Sequence, residues 1–180
     1  MLSGGQLPVV AELTAQIVST PFQKLSVSQG LSVLVDESDL PILSDHSWHV
    51  VKTHNGVRYV NCTIMVNGKK KEVPMHRLLL KPLPNQHVDH INRNGLDNRR
   101  INLRICTPSQ NRWNSLPTIH SSKFKGVSWQ TDRQRWRAQI THRGKKIYIG
   151  KYRSEEDAAR AYDRVARRLC GKFAWLNFSV

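Results

Sequence analysis

The chain has 180 residues, a length that fits two or three compact modules better than one large domain. No apolar run approaches the ~20 residues of a membrane-spanning helix, and the N-terminus lacks the basic start and apolar stretch of a signal peptide. We therefore expect a cytoplasmic protein with no membrane contact. Its three cysteines lie far apart and form no CxxC pair, which predicts reduced, partly buried thiols and no zinc site.

The net charge of +15 is concentrated in the second half of the chain. Residues 1–75 are balanced, whereas residues 76–120 carry +5 and residues 121–153 carry +9. A basic surface confined to one part of a chain indicates a polyanionic partner. Because the basic excess lies on strand-like sequence and not on an amphipathic helix, nucleic acid is a better partner than a membrane.

The first part of the chain predicts short strands after a weakly structured lead-in over residues 1–24. "LSVLVD" is typical of a strand, and "ESDLPILSDHSW" of a short helix or turn. The stretch "GVRYVNCTIMVNGKKKEVPM" predicts a hairpin with its turn at Asn67-Gly68. "HRLLL" predicts a short helix that Pro82 and Pro84 end. His76, at the start of this helix, is either a hydrogen-bonded histidine, which we favour, or a ligand.

Residues 86–115, "QHVDHINRNGLDNRRINLRICTPSQNRWNS", predict a strand, a long loop, a second strand and a helix. "HVDH" and "NLRIC" are the strands. Thr107 is the predicted N-cap of the helix, with Pro108 in the first turn and Gln110 completing a capping box.

This order of elements would bring Asp89 and His90, at the end of the first strand, close to Asn111 on the helix. Carboxylate and carboxamide oxygens are hard ligands that suit Mg²⁺. Histidine is the side chain best able to accept a proton near neutral pH. A metal, a base and nearby arginines together predict a site for phosphodiester hydrolysis.

The stretch "VDHINRNGLDNRRINLRICTPSQNRWN" resembles the ββα-metal motif of HNH endonucleases, specifically the phage- and intron-encoded homing branch. The resemblance implies that Asp89 and Asn111 are metal ligands, that His90 is the general base and that Asn102 orients the active-site loop. The helix carries Asn111 where many members carry histidine, so this is an H-N-N variant that favours one hard ion, Mg²⁺ or Mn²⁺, over zinc. The resemblance extends over residues 25–115.

Two further groups of polar residues surround this motif. Asn92, Asn94 and Asn98 are interpreted as turn formers, since asparagine tolerates the left-handed backbone. The neighbouring arginines either clamp DNA phosphates or are solvated side chains. This group consists of Arg93, Arg99, Arg100 and Arg104. We favour DNA contact for two of the four, and the candidates are Arg93, Arg99 and Arg100.

The C-terminal stretch, residues 123–180 and here called the tail, predicts a small domain of three strands and one helix. The strands are "FKGVSWQ", "RWRAQIT" and "KKIYIGKY", with a turn at Arg143-Gly144. Ser154 is the predicted cap of the helix, whose apolar positions 158, 161, 162, 165, 166 and 169 share one face, and Gly171 ends it.

Residues 123–178 resemble the Apetala/ethylene-response-factor DNA-binding domain, which lays its sheet in the major groove. Strand alternation turns Val127, Trp136, Ala138, Ile140, Ile147 and Ile149 towards the helix. The predicted DNA-facing residues are Lys125, Ser128, Gln130, Arg137, Gln139, Thr141, Lys146 and Tyr148. Several of these positions hold arginine or tryptophan in the plant domains, so the plant target sequence is not expected here.

The sequence thus predicts an α+β protein: a small β-rich N-terminal region leading into an HNH nuclease domain (residues 25–115), a linker (116–122) and a DNA-binding domain (123–180). We expect a site-specific, metal-dependent DNA endonuclease of the homing or mobile-element type, acting on double-stranded DNA in the host cytosol or nucleoid without a small-molecule cofactor. The linker-like stretch predicts that the nuclease folds without the tail. The alternatives are a non-catalytic DNA-binding regulator with a decayed nuclease core, and an RNA-binding protein, which the single outward aromatic Tyr148 disfavours.

Overall fold

The computed structural model describes residues 20–54, 56–117 and 121–178 of the chain. It is a mixed α and β structure of small antiparallel sheets with a long C-terminal helix, as predicted. Among the described residues, no helix is both long and apolar enough to cross a membrane. Cys62, Cys106 and Cys170 are buried free thiols.

Residues 20–54 and 56–80 form two sheets and two short α-helices. Strands β1 and β2 form an antiparallel pair, and β3, β4 and β5 form a sheet in that order. The predicted hairpin turn is confirmed, since Asn67 and Gly68 both have positive φ angles, of 50° and 71°. The elements are β1 (Phe22–Ser26), β2 (Ser32–Asp36), α1 (Leu40–Ser44), β3 (Trp48–Lys52), β4 (Arg58–Val66), β5 (Lys69–Pro74) and α2 (Met75–Leu80).

Strand β1 corrects one prediction. Residues 22–24 fall in the stretch interpreted as a weakly structured lead-in, yet they pair with β2 in the register Phe22–Asp36 to Ser26–Ser32. Four of the five residues of β1 are exposed, so the strand lacks the apolar alternation that identifies a half-buried strand in sequence. Residues 1–19 of the predicted lead-in lie outside the described residues.

A single hydrophobic core joins the N-terminal region to the central strands. Strand β6 (His87–His90) pairs with β7 (Leu103–Cys106), and the short helix α3 (Pro108–Trp113) follows. The buried side chains of this core come from both regions, and they are Val33, Val35, Leu43, Val60, Met75, Leu79, Val88 and Leu103. The N-terminal strands therefore support the segment that carries Asp89 and His90.

The loop between β6 and β7 is fixed to strand β2. The backbone N–H of Leu34 donates to the Leu96 carbonyl, and the backbone N–H of Asn98 donates to the Leu34 carbonyl, each at 2.8 Å. The loop also comes close to β4 at Gly95, where a Cβ would collide with the Arg58 carbonyl oxygen and the Tyr59 ring. The loop is thus an ordered part of the core region.

The C-terminal part is the predicted three-stranded sheet covered by one helix. Strands β8 (Val127–Gln130), β9 (Arg135–His142) and β10 (Lys145–Tyr152) form the sheet in the order β10-β9-β8. Helix α4 (Glu155–Cys170) begins at Ser154, whose hydroxyl accepts from the Asp157 amide, and Gly171 follows its end. Of the predicted helix-facing residues, Ile147 remains 37% exposed.

Candidate active site

Four of the sequence-predicted site residues line one cavity of about 980 Å³. They are Asp89, His90, Arg93 and Asn111. Strand β6 supplies the first two, the β6–β7 loop supplies Arg93, and α3 supplies Asn111. The sheet β3-β4-β5 and α2 form the opposite wall, with Tyr59, Asn61 and His76 among the lining residues.

His90 is buried, with 5% of its surface exposed, and its Nε2 lies 3.4 Å from the side-chain oxygen of Asn98. The side-chain nitrogen of Asn98, Nδ2, donates to the Gly95 carbonyl, and the side-chain oxygen of Asn98 is thereby turned towards His90. An oxygen facing Nε2 requires the proton on Nε2, so the lone pair of the neutral ring lies on Nδ1. Burial lowers the pKa of His90 below its ordinary value, against the opposing influence of Asn98 and nearby carboxylates. His90 is therefore a neutral ring in a defined tautomer.

Asp89 is 5% exposed and anchors two neighbouring side chains. Its Oδ2 accepts from Arg104, with Nε at 2.8 Å and Nη2 at 2.6 Å. The Asn114 amide nitrogen lies 2.9 Å from Oδ1 and 3.0 Å from Oδ2. A carboxylate offers about four acceptor sites, so Oδ1 retains capacity for a cation. The hard-oxygen pair Asp89 and Asn111 thus fits a magnesium-type ion that keeps several waters.

Asn111 is held by the local structure of α3. The predicted capping box is confirmed: the Thr107 hydroxyl accepts from the Gln110 amide, and the Gln110 side chain accepts from the Thr107 amide. Asn111 Nδ2 lies 3.3 Å from Nδ1 of His87. Within the described ranges there is no group of three or more His, Cys, Asp or Glu side chains that could hold a metal.

Asn102 fastens the β6–β7 loop through three hydrogen bonds. Its oxygen accepts from the Asn92 amide at 2.9 Å, and its nitrogen donates to the Asn92 side chain at 2.9 Å and to the Asp97 carbonyl at 2.8 Å. Asn98 and Asn102 therefore both fix the loop that follows His90.

The structure gives the candidate DNA-binding arginines different partners. Arg99 makes a bidentate ion pair with the buried Asp97, at 2.7 and 2.8 Å. Arg100 pairs with the buried Asp39, at 2.7 Å for the shortest contact. A buried carboxylate must be paired, which explains why these two guanidinium groups are used inside the protein. Arg93 alone of the three candidates lines the cavity.

His76 is a second histidine of the cavity whose role the sequence did not indicate. Its ring meets that of His90 edge-on, with centroids 5.1 Å apart. Burial, together with the nearby His90 and Arg77, lowers the pKa of His76 to about 3. Its Nδ1 is buried and has no hydrogen-bond partner among the described residues, so the expectation of a hydrogen-bonded histidine is not met at this nitrogen.

The register of the C-terminal sheet defines its open face. Across β8, β9 and β10, Ser128 pairs with Arg137 and Arg137 with Lys151. The other pairs on this face are Gln130–Arg135, Gln139–Tyr148 and Thr141–Lys146. A bulge after Tyr148 shifts the register by one residue, which returns Lys151 to this face. Arg135 and Lys151 lie there beside the predicted residues.

Lys125 was predicted to face DNA, but its ammonium group binds carbonyl oxygens at the end of α3. Its Nζ lies 3.2, 2.8 and 2.7 Å from the carbonyl oxygens of Arg112, Trp113 and Ser115. Arg112 and Trp113 form the last turn of α3 and Ser115 lies two residues beyond it, so the ammonium group adds a donor at the C-terminal end of this helix. Burial lowers the pKa of Lys125 to about 8.

Comparisons with known proteins match both parts of the chain. The family model described as HNH endonuclease matches residues 81–113, and the one described as AP2 domain matches residues 122–172. An uncharacterized HNH endonuclease of Acanthamoeba polyphaga mimivirus is 30% identical over 162 residues, covering 87% of this chain and 80% of that protein. Protein 3.8 of Escherichia phage T7 is 37% identical over 95 residues, covering 52% of this chain and 78% of that protein. The APETALA2-like protein 2 of rice is 38% identical over 64 residues, which cover 36% of this chain and 15% of the plant protein.

Proposed function

This chain belongs to the HNH endonuclease family and carries an AP2 domain, and we propose that it is a site-specific, divalent-metal-dependent endonuclease of double-stranded DNA. The observation that carries the proposal is the meeting of Asp89, His90, Arg93 and Asn111 in one cavity. These residues supply a carboxylate, a base, a cation and a carboxamide, which are the groups that phosphodiester hydrolysis uses. The relatives from a phage and a giant virus favour a homing or mobile-element type of endonuclease.

The proposed base is Nδ1 of His90. With Nε2–H directed at Asn98, Nδ1 takes a proton from the attacking water as that water approaches phosphorus. The lowered pKa of His90 keeps the ring neutral before the reaction. Asn98 and Asn102 then act as positioning residues, because they hold the tautomer and the loop.

Asp89 and Asn111 are the proposed ligands of one Mg²⁺ or Mn²⁺ ion. Such an ion, when bound, stabilises negative charge on the phosphate and on the leaving oxygen. Arg104 and Asn114 hold the Asp89 carboxylate in place, as outer-shell partners commonly do for ligands. Arg93 adds positive charge to the cavity, where it offsets the charge of the scissile phosphate.

The proposed role of the C-terminal sheet is to bind and read DNA in the major groove. Its open face carries Arg135, Arg137, Lys146 and Lys151 beside the polar Gln130 and Gln139. Phosphate contacts made by such a surface make affinity steeply salt-dependent.

The proposed function is tested by incubating the purified full chain with labelled duplex DNA that contains a candidate insertion site. We expect discrete cleavage products with Mg²⁺ or Mn²⁺ and none with a chelator, while DNA binding persists in the chelator. Specific binding with no cleavage in either metal would contradict the proposal and support the non-catalytic regulator.

Arg137 and Lys151 are cross-strand neighbours on the open face, yet we expect different effects from their removal. Arginine reads guanine edges bidentately, and a good pair contributes about 1–3 kcal/mol of discrimination. Arg137→Ala is therefore expected to relax preference at one base position. Lys151→Ala is expected to weaken all sequences alike and to reduce the salt slope by about one unit.

The measurement is binding to a library of single-base variants of the target at several salt concentrations. The two residues are cross-strand neighbours, Arg137 on the central strand β9 and Lys151 on the edge strand β10. A uniform loss across the library for both variants would mean that the sheet contacts phosphates only.

A further inference from the structure

The C-terminal part of the chain contacts the same side chains that hold Asp89. Arg104, which binds the Asp89 carboxylate, also donates from Nη1 to the Lys172 carbonyl at 2.6 Å. Its guanidinium carbon lies 4.2 Å from the centre of the Phe173 ring. Lys172 and Phe173 belong to the turn that follows helix α4. The position of Arg104 is therefore set from both the nuclease site and the tail.

Arg93 is held by the tail in the same way. Its guanidinium carbon lies 3.3 Å from the centre of the Trp175 ring, a close stacking contact. Arg93 has a positive φ of 62°, a backbone conformation that residues other than glycine rarely adopt. Trp175 lies just beyond residues 122–172, the range that the AP2 domain model matches. The contact therefore joins the C-terminal end of the tail to the loop that follows β6.

Helix α3, which carries Asn111 and is followed by Asn114, is docked on the tail as well. Trp113 packs in the tail's own apolar cluster with Ile140, Tyr162, Ala166 and Cys170. Its indole nitrogen donates to the Thr141 carbonyl at 3.2 Å, and its ring stacks on His142 with centroids 5.0 Å apart. The Trp175 amide donates to the Trp113 carbonyl at 3.0 Å, and Lys125 satisfies the end of the helix.

We propose that residues 171–176, here called the docking segment, are a structural part of the nuclease site, an inference that rests on the proposed function. The docking segment positions Arg93, Arg104 and α3, and through them the Asp89 carboxylate. The helix alone has six residues, too few to be stable without tertiary packing. The tail therefore does more than bind DNA, since the cleavage geometry depends on it. This inference opposes the expectation that the nuclease folds intact without the tail, which stays a prediction.

Trp175 is the residue that separates this positioning role from DNA binding. Trp175→Leu removes the ring under Arg93 but retains an apolar side chain. We expect the single-turnover cleavage rate at saturating DNA to fall about tenfold, because small displacements of catalytic groups have effects of this size or larger. The DNA dissociation constant should not change. Trp175→Phe keeps an aromatic face for Arg93 and is expected to restore most of the rate.

Trp129→Leu is the matched control. Trp129 is also a tail tryptophan, partly exposed, and its ring meets only that of Trp136 among the aromatic contacts of the described residues. This variant should cleave at the wild-type rate at saturating DNA. Amide hydrogen exchange gives a second readout that needs no cleavage. Trp175→Leu should accelerate exchange in residues 103–114 and leave strands β8 to β10 protected.

Each outcome decides the inference. A wild-type rate together with unchanged exchange for Trp175→Leu would overturn it and leave the proposed nuclease function standing. If the wild-type chain does not cut DNA, the proposed function fails, while the exchange comparison still tests the docking. If Trp175→Leu unfolds the whole chain, Phe173→Leu replaces it as the test variant. That change removes the ring under Arg104 and leaves Trp175 in place. An unchanged cleavage rate and unchanged hydrogen exchange for Phe173→Leu would then overturn the inference.

Discussion

Replacing His90 by alanine is expected to lower the cleavage rate by about 10²–10⁴-fold, the usual contribution of a general base. DNA binding should be nearly unchanged, because His90 is buried in the cavity and lies outside the open face of the C-terminal sheet. His90→Gln should give the same loss, since it fills more of the space beside Tyr59 and His76 but cannot accept a proton near neutral pH. Single-turnover cleavage and equilibrium binding on the same duplex make the comparison.

His46→Ala is the control for this prediction. His46 contacts the Trp48 ring edge-on and does not line the cavity, so its removal should leave the rate intact. Near-normal cleavage by both His90 variants would remove His90 as the base. His76 and His87, which also line the cavity, would then be the next residues to test.

The sequence predicted most of the elements because their signals are local. The capping box at Thr107, the Asn67-Gly68 turn and the one-sided helix α4 each depend on residues within a few positions of one another. Strand β1 was not predicted, since it pairs through its backbone with β2 and exposes most of its side chains. Its role is visible only when the partner strand is in place.

The candidate site could be predicted only in part, because some of its residues follow a local motif and others are identified by contacts that only the fold creates. Asp89, His90 and Asn111 follow a spaced motif, and the structure brings them to one cavity. The asparagines could not be separated by sequence, because Asn98 and its neighbours share the composition of a turn. Only the fold shows that Asn98 contacts the His90 ring.

The arginines illustrate what charge alone cannot decide. Arg99 and Arg100 lie in a basic stretch, yet each pairs with an aspartate that the fold buries, Asp97 and Asp39 respectively. Asp39 is distant in sequence from Arg100, so the pair could not be expected from local pattern. The same holds for the stacking of Arg93 on Trp175, which joins the two parts of the chain.

Asp89→Asn is expected to reduce cleavage at limiting Mg²⁺ on the order of 10²-fold or more, and raised Mg²⁺ or Mn²⁺ should restore part of the loss. The carboxamide has nearly the same shape as the carboxylate and can still accept a hydrogen bond from Arg104. What it lacks is the negative charge that a divalent ion requires of this position. Cleavage rates measured over a series of metal concentrations should therefore show a shifted metal dependence.

Asp97→Asn is the matched control, because it changes a second buried carboxylate of the same region that is also paired with an arginine. Asp97 binds Arg99 and the Asn92 side chain, and it does not line the cavity. Its replacement should loosen the β6–β7 loop and lower the rate equally at every metal concentration. If Asp89→Asn behaved in the same way, with no recovery at high metal, Asp89 would be an anchor for Arg104 and Asn114 and not a metal ligand. The ion would then have to be held by Asn111 with other groups of the cavity.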